Sequence, residues 1–209
     1  MRFVTALALL ILAAAPICAG TRSVYGPEVP GDAAFVRVVN AVPGSTPLAP
    51  ELGAASFDPL PYAQVSPYRA VTPDIYLFSA AGVEQEIIPM SGRYYTVAVL
   101  PQAIVVLEDP AHTDPARAQL FLYNFSSLSR IDLATADRKT SVIAGVRSSS
   151  SALAVVNAVA APLAVMSGGS RVKVIGDLGL ARGSSFSVFV LGGGSTTVVF
   201  TAKARVQVE

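Results

Sequence analysis

Ala34-Phe35-Val36-Arg37-Val38-Val39-Asn40 and Ala118-Gln119-Leu120-Phe121-Leu122-Tyr123-Asn124 are one kind of segment written twice, an apolar run opened by alanine and closed by asparagine. A second pair follows each of them: Gly92-Arg93-Tyr94 leading into Thr96–Leu100, and Ala181-Arg182-Gly183 leading into Ser185–Leu191. The offsets, 84 residues between Asn40 and Asn124 and 89 between Arg93 and Arg182, nearly agree, which points to an internal duplication. An all-β unit of about 85 residues with turns every 8–12 residues fits a small immunoglobulin-like sandwich of seven strands in two sheets. The competing reading is chance similarity between β-rich segments.

The rest of the chain has the same character. Short runs rich in Val, Ile, Leu, Tyr and Phe, bounded by Gly, Pro, Ser or Asp, read as strands. In the first half these are Phe35–Asn40, Ile75–Ser79, Glu84–Ile88, Tyr94–Leu100 and Ile104–Glu108. In the second they are Leu120–Asn124, Ile131–Thr135, Leu153–Asn157, Val172–Ile175, Ser185–Leu191 and Thr197–Val208. Ala80-Ala81-Gly82 suggests a hairpin turn, with further turns at Ala136-Asp137-Arg138 and Ser167-Gly168-Gly169-Ser170. Ala152–Met166 is the one stretch whose alanines could support a short helix before Pro162. Between the halves, Glu108-Asp109-Pro110-Ala111-His112-Thr113-Asp114-Pro115-Ala116-Arg117 is nearly devoid of apolar residues and reads as a linker. The expected organisation is all-β: a signal peptide at 1–20, an N-terminal segment at 21–32, and two tandem immunoglobulin-like β-sandwich domains at 33–108 and 118–209. A short Pro/Asp-rich linker at 109–117 joins them.

Met1-Arg2 followed by the apolar run Phe3–Ala15, Pro16 and the small residues Ala19 and Gly20 has the form of a secretory signal peptide, cleaved after Ala19 or Gly20. The run is shorter than the ~18–20 residues a spanning helix needs. Export implies a periplasmic location. A lipoprotein signal would want Leu three residues before Cys18 and a small residue just before it, and Ala15 and Ile17 stand there instead. Cys18 is the only cysteine, so the exported chain would carry no thiol, no disulfide and no zinc–thiolate site. The 15 Lys and Arg residues nearly balance the 14 Asp and Glu residues and are scattered singly, which argues against nucleic-acid binding.

Reactive groups are sparse. No Gly-x-Ser-x-Gly elbow occurs, and in Gly176-Asp177-Leu178-Gly179 a leucine stands where a Gly-Asp-Ser nucleophile would be. The sole histidine, His112, falls in the linker and is expected to be solvated. One histidine and dispersed carboxylates give no recognisable metal set, and Gly192-Gly193-Gly194-Ser195 lacks the Lys-Ser/Thr of a phosphate loop and reads as a wide turn. Asn124-Phe125-Ser126 has the form of a glycosylation sequon, discounted in a chain of bacterial character. With no Trp, only Tyr62, Tyr68, Tyr94 and Tyr95 could stack sugar rings, and period-two alternation turns one of the last two inward. No cofactor and no catalytic residue is expected. A serine, His112 and an aspartate meeting in one pocket is the arrangement that would contradict that expectation.

Val24-Tyr25-Gly26-Pro27-Glu28-Val29-Pro30-Gly31 continuing into Ala34–Ala41, with Ile175-Gly176-Asp177-Leu178 and Leu180-Ala181-Arg182-Gly183 further on, resembles the periplasmic alginate O-acetylation family called AlgF. The segment from Val42 to Pro89 departs from that pattern. The resemblance implies a non-catalytic adaptor for O-acetylation of alginate or a similar uronic-acid polymer. Its implied partners are periplasmic or membrane acetyltransferases and polysaccharide secretion-complex proteins, with weak direct binding of alginate as a further expectation. Tyr25, Arg37 and Asn40 are the candidate partner contacts, because Tyr and Arg are enriched at binding hot spots. The plainer reading makes Arg37 a solvated strand residue and Asn40 a turn former. A polysaccharide-binding module is the alternative function, and an esterase or transferase a third.

Overall fold

The computed structural model describes residues 29–44 and 46–207; the signal-peptide assignment, its cleavage site and Tyr25 lie outside the described residues. The fold is all-β, with no α-helix among the described residues. The first half contains β1 (Ala34–Asn40), β2 (Glu51–Leu52), β3 (Ala55–Ser56), β4 (Tyr68–Val71), β5 (Tyr76–Ala80), β6 (Val83–Ile87), β7 (Tyr94–Leu100) and β8 (Ala103–Asp109). The second contains β9 (Ala118–Ser126), β10 (Arg130–Thr135), β11 (Ser141–Arg147), β12 (Ser150–Val156), β13 (Pro162–Ser167), β14 (Ser170–Asp177), β15 (Ser185–Gly192) and β16 (Val198–Lys203), after which comes β17 (Val206–Gln207).

The duplication appears strand for strand. One sheet of the first half runs β4-β1-β7-β8 and the other β3-β2-β5-β6; the second half repeats both orders as β12-β9-β15-β16 and β11-β10-β13-β14. In each half the central pair is parallel, β1 with β7 and β9 with β15, and the remaining pairs are antiparallel. The halves therefore differ from the expected seven-strand unit by an extra strand and a parallel centre. The strands missed in sequence are β2, β3, β4, β11 and β13. Ala152–Met166 holds no helix: β12 pairs along its whole length with β9, and Leu163 to Met166 of β13 are buried.

Each half has its own apolar core, built from Val36, Val38, Phe78 and Val97 in the first and Leu120, Leu122, Leu133 and Val188 in the second. A third cluster lies between the sheets that carry the two parallel pairs, and joins Val39 and Ala98 to Phe121, Tyr123, Phe125, Phe189 and Leu191. This explains why Leu120–Phe125 is apolar without alternation. All nine residues of β9 are buried, one face on the second core and the other on the interface between halves. Across that interface face, Tyr123 stacks on Phe189 at 4.7 Å and Phe189 on Phe200 at 4.8 Å. Burial of one such ring contributes about 1.5–3 kcal/mol.

Two expected boundaries shift. Asp109, placed first in the linker by its Pro-rich surroundings, is the last residue of β8 and only 3% exposed. It shares a strand face with Val105 and Leu107, which pack on the interface cluster. Residues 110–117 carry no strand and make the connection. At the other end, β17 leaves the second half and pairs in parallel with β4 of the first, with Tyr68 N–H donating to the Arg205 carbonyl at 2.8 Å. The segment 118–209 is thus not confined to one half. The expected hairpin turn between β5 and β6 is present, with Ala81 and Gly82 at φ 52° and 75° as a two-residue turn with both central φ positive requires.

Candidate functional site

Arg37 is the largest fully buried side chain of the described residues, 2% exposed. It projects from the face of β1 that also presents Val39 to the second half. Its guanidinium donates through Nε to Thr96 Oγ1 at 2.8 Å, and through Nη2 to the Tyr123 hydroxyl at 2.8 Å and Ser187 Oγ at 3.0 Å. It lies 4.5 Å from the centre of the Tyr68 ring. Tyr123 and Ser187 belong to the second half, so one side chain spans the two.

The counter-charge is Asp109, 3.6 Å from Arg37 Nη2. Its Oδ1 accepts from the Tyr123 hydroxyl at 2.5 Å, and its Oδ2 from the Tyr68 hydroxyl at 2.7 Å and from Thr96 Oγ1. Burial, followed by the Asp109 charge, pushes the Tyr68 and Tyr123 phenols far above the ordinary tyrosine range, although Arg37 pulls the other way. For Arg37 burial alone would favour loss of the proton; Tyr123, Tyr68 and Asp109 outweigh it and hold the proton more tightly than usual. The cluster is a charge pair with its hydrogen-bonding capacity filled from inside the protein, the condition under which a buried ion pair is tolerated.

Beside this cluster a cleft of about 270 Å³ opens between the halves, lined among others by Asp109, His112, Ser185, Ser187, Lys203 and Arg205. A serine, His112 and an aspartate therefore do line one cleft. The hydrogen bonds among the described residues do not join them into a relay. Ser187 Oγ accepts from Arg37, Ser185 Oγ donates to Gln119 Oε1 at 2.7 Å, and both oxygens of Asp109 are occupied as above. His112 is half-buried, not solvated as its linker position suggested, and its Nε2 is enclosed with no hydrogen-bond partner among the described residues. No group of three or more potential metal ligands occurs among the described residues.

Arg37 and Asn40 are 2% and 1% exposed, so as folded neither offers its side chain to a partner. A buried face on both sides of the strand, not solvent, is what Arg37 meets. Asn40 holds the chain after β1, donating to the Leu60 carbonyl at 2.8 Å and accepting from Val42 N–H at 2.9 Å. Asn124 does the same after β9, binding the Leu128 and Val146 carbonyls and Ser126 N–H; with no exposed surface, it is no glycosylation acceptor as folded. The tyrosines pack inside or against the protein: Tyr68 is in the cluster, Tyr95 is in the first core, Tyr94 stacks on Phe35 at 4.4 Å, and Tyr62 packs on the interface cluster. In Gly176-Asp177-Leu178-Gly179, Asp177 Oδ1 accepts from Gly179 N–H at 2.9 Å and Leu178 packs on the second core, which makes the motif a turn.

The sequence model described as "Alginate O-acetyl transferase AlgF" matches residues 6–187. The chain is 29% identical over 191 residues to the alginate biosynthesis protein AlgF of Pseudomonas aeruginosa, covering 90% of this chain and 86% of that protein. The corresponding protein of Pseudomonas putida is 27% identical over 174 residues, covering 83% and 80%. Among solved structures, the C-terminal domain of AlgF from P. aeruginosa aligns with 31% identity and a TM-score of 0.39, covering 42% of this chain and 98% of that one. Matched through both halves, the chain belongs to the AlgF family.

Proposed function

We propose that this chain is an exported, non-catalytic accessory protein for O-acetylation of alginate or a similar uronic-acid polymer, acting by holding acetyltransferase or secretion-complex proteins together in the periplasm. Membership of a family named for alginate O-acetylation supplies the pathway. The observation that carries the adaptor reading is the Arg37–Asp109 cluster. It sets the two buried charges of the described residues at the junction of the halves, with hydrogen bonds supplied by Thr96, Tyr68, Tyr123 and Ser187. Such a junction serves to fix two sheet systems relative to each other, and fixed geometry is what a protein that positions partners needs. Each half is read as a variant of the immunoglobulin-like sandwich, with residues 110–117 as the connector.

The test is capture of partners by the tagged protein in envelope extract, together with the acetyl content of the polymer from a deletion strain. Recovery of an acetyltransferase or a secretion component, with acetylation lost on deletion, supports the reading; no such partner and normal acetylation reject it. The cleft with His112 and Ser185 keeps a second reading in play, an esterase or transferase. That reading requires turnover of a chromogenic acetate ester which disappears in Ser185→Ala.

A further inference from the structure

Four of the eight exposed large apolar side chains among the described residues sit on one hairpin: Ile75, Leu77, Ile88 and Met90 are 61%, 53%, 56% and 53% exposed. The other four are valines dispersed elsewhere. Strand register makes Ile75, Leu77 and Ile88 a contiguous patch, with Met90 two residues further along the chain. Leu77 lies across from Glu86 and Tyr76 from Ile87, so Ile75 and Ile88 meet one step further along. Phe78, Ala80 and Ile87 alternate with them and point into the first core, which leaves Leu77 and Ile88 on the outer face of the β3-β2-β5-β6 sheet. A patch of large aliphatic side chains costs solubility and contributes nothing to this core, so it marks a surface that something covers.

The surrounding charge identifies the occupant. Glu51 and Glu84 are both exposed and both pair with Ser79 from opposite sides, so two carboxylates flank one hydroxyl across three strands, roughly 9–10 Å apart at the backbone. A shallow depression lined by Glu51, Ser79 and Glu84 lies there. Glu86 and Asp74 are exposed beside the apolar residues. From residue 38 to residue 92 the chain carries five acids and one base, Arg69. None of Glu51, Asp74, Glu84 and Glu86 is in an ion pair among the described residues.

We infer that this outer face is the protein's docking surface for a protein partner whose own contact has apolar side chains at its centre and Lys or Arg at its rim, one cation seating over Ser79 between Glu51 and Glu84. The inference rests on the adaptor reading and assigns its contact face. Aliphatic residues at the centre with complementary charge around them is the arrangement that gives affinity from the middle and orientation from the edge.

The experiment titrates the full exported protein with the purified periplasmic acetyltransferase of the same host, at low and high salt. Wild type is expected to bind, more weakly in high salt. Leu77→Ser with Ile88→Ser should weaken binding at least tenfold, and Glu84→Lys with Glu86→Lys should weaken it and remove the salt dependence. Val155→Ser with Val174→Ser, on the second half, should leave it unchanged. All these positions are exposed, and circular dichroism confirms that each variant folds. Wild-type binding that the Leu77/Ile88 variant leaves intact overturns the face and spares the adaptor reading. No wild-type binding overturns the face, and together with normal acetylation in a deletion strain overturns the adaptor reading as well. A dimer of the free protein that Leu77→Ser with Ile88→Ser dissociates, without altered acetyltransferase affinity, makes the face a self-contact and also overturns the proposal.

Discussion

Replacing Arg37 by methionine, which keeps an unbranched apolar stem and removes the guanidinium charge, should destabilise the fold by about 3 kcal/mol. The side chain makes three hydrogen bonds, to Thr96, Tyr123 and Ser187, and offsets the buried Asp109 charge at 3.6 Å. Removing one member of a buried pair typically costs about 3–5 kcal/mol, mostly through the charge left behind. Asp109 would keep its hydroxyl donors from Tyr68, Thr96 and Tyr123, which puts the cost at the lower end. At about 2–4 °C per kcal/mol for a chain of this size, the Tm should fall by about 6–12 °C. Because Arg37 stands in the first half and Tyr123 and Ser187 in the second, the urea transition should also broaden or split as the halves uncouple. Arg37→Met with Asp109→Asn should be closer to wild type than the sum of the single variants, with a coupling energy of about 1–3 kcal/mol. Urea and thermal unfolding followed by tyrosine fluorescence measure all three variants. A cost below about 1 kcal/mol for Arg37→Met, or strictly additive singles, would refute the view that this pair couples the halves.

Three more outcomes follow from the same geometry. Tyr68 and Tyr123 hold their protons above the ordinary range in the folded protein, so their contribution is complete below the unfolded value near 10 and is lost as pH rises past it. Stability should fall by up to about 2.7 kcal/mol per pH unit for the two groups together; phenolate absorbance of wild type against Tyr68→Phe and Tyr123→Phe should show that these two phenols ionise only on unfolding, and their reversible ionisation near pH 10 in the folded protein would contradict this. Phe189→Ala, which empties the stack between Tyr123 and Phe200, should cost about 3–5 kcal/mol in urea unfolding. Gly192→Ala places a methyl group 2.5 Å from the Thr196 carbonyl oxygen at φ +74°, and should cost about 2–4 kcal/mol by thermal unfolding, where an unchanged Tm would count against the turn geometry.

Apolar runs bounded by Gly, Pro, Ser or Asp located the long strands well, because both faces of β1 and β7 meet apolar layers: Tyr94–Leu100 coincides with β7, and Phe35–Asn40 falls one residue short of β1. The strands β2 and β3 escaped because they are two residues each and lie in a segment broken by Pro47, Pro50, Pro59 and Pro61. The site was far less legible. Arg37 takes its partners from β7, β9 and β15, and no spacing within one strand announces such a meeting. Two signals were present nonetheless. Asp109 continues the inward row Val105, Leu107, and β9 is apolar on both faces, which calls for a second layer against it. A charged residue in phase with Val39 on a strand facing such a layer is expected to be buried and paired.

The most direct measurement of the non-catalytic claim is the acetyl-to-uronate ratio of polymer from a deletion strain complemented with His112→Ala. His112 is the sole histidine and lines the cleft with Ser185 and Asp109. A scaffold predicts acetylation equal to that restored by the wild-type gene. A general base lost from a working site would cut turnover by about 10²–10⁴, and a fall in acetyl content to the deletion level, with the variant present at normal abundance, would contradict the account.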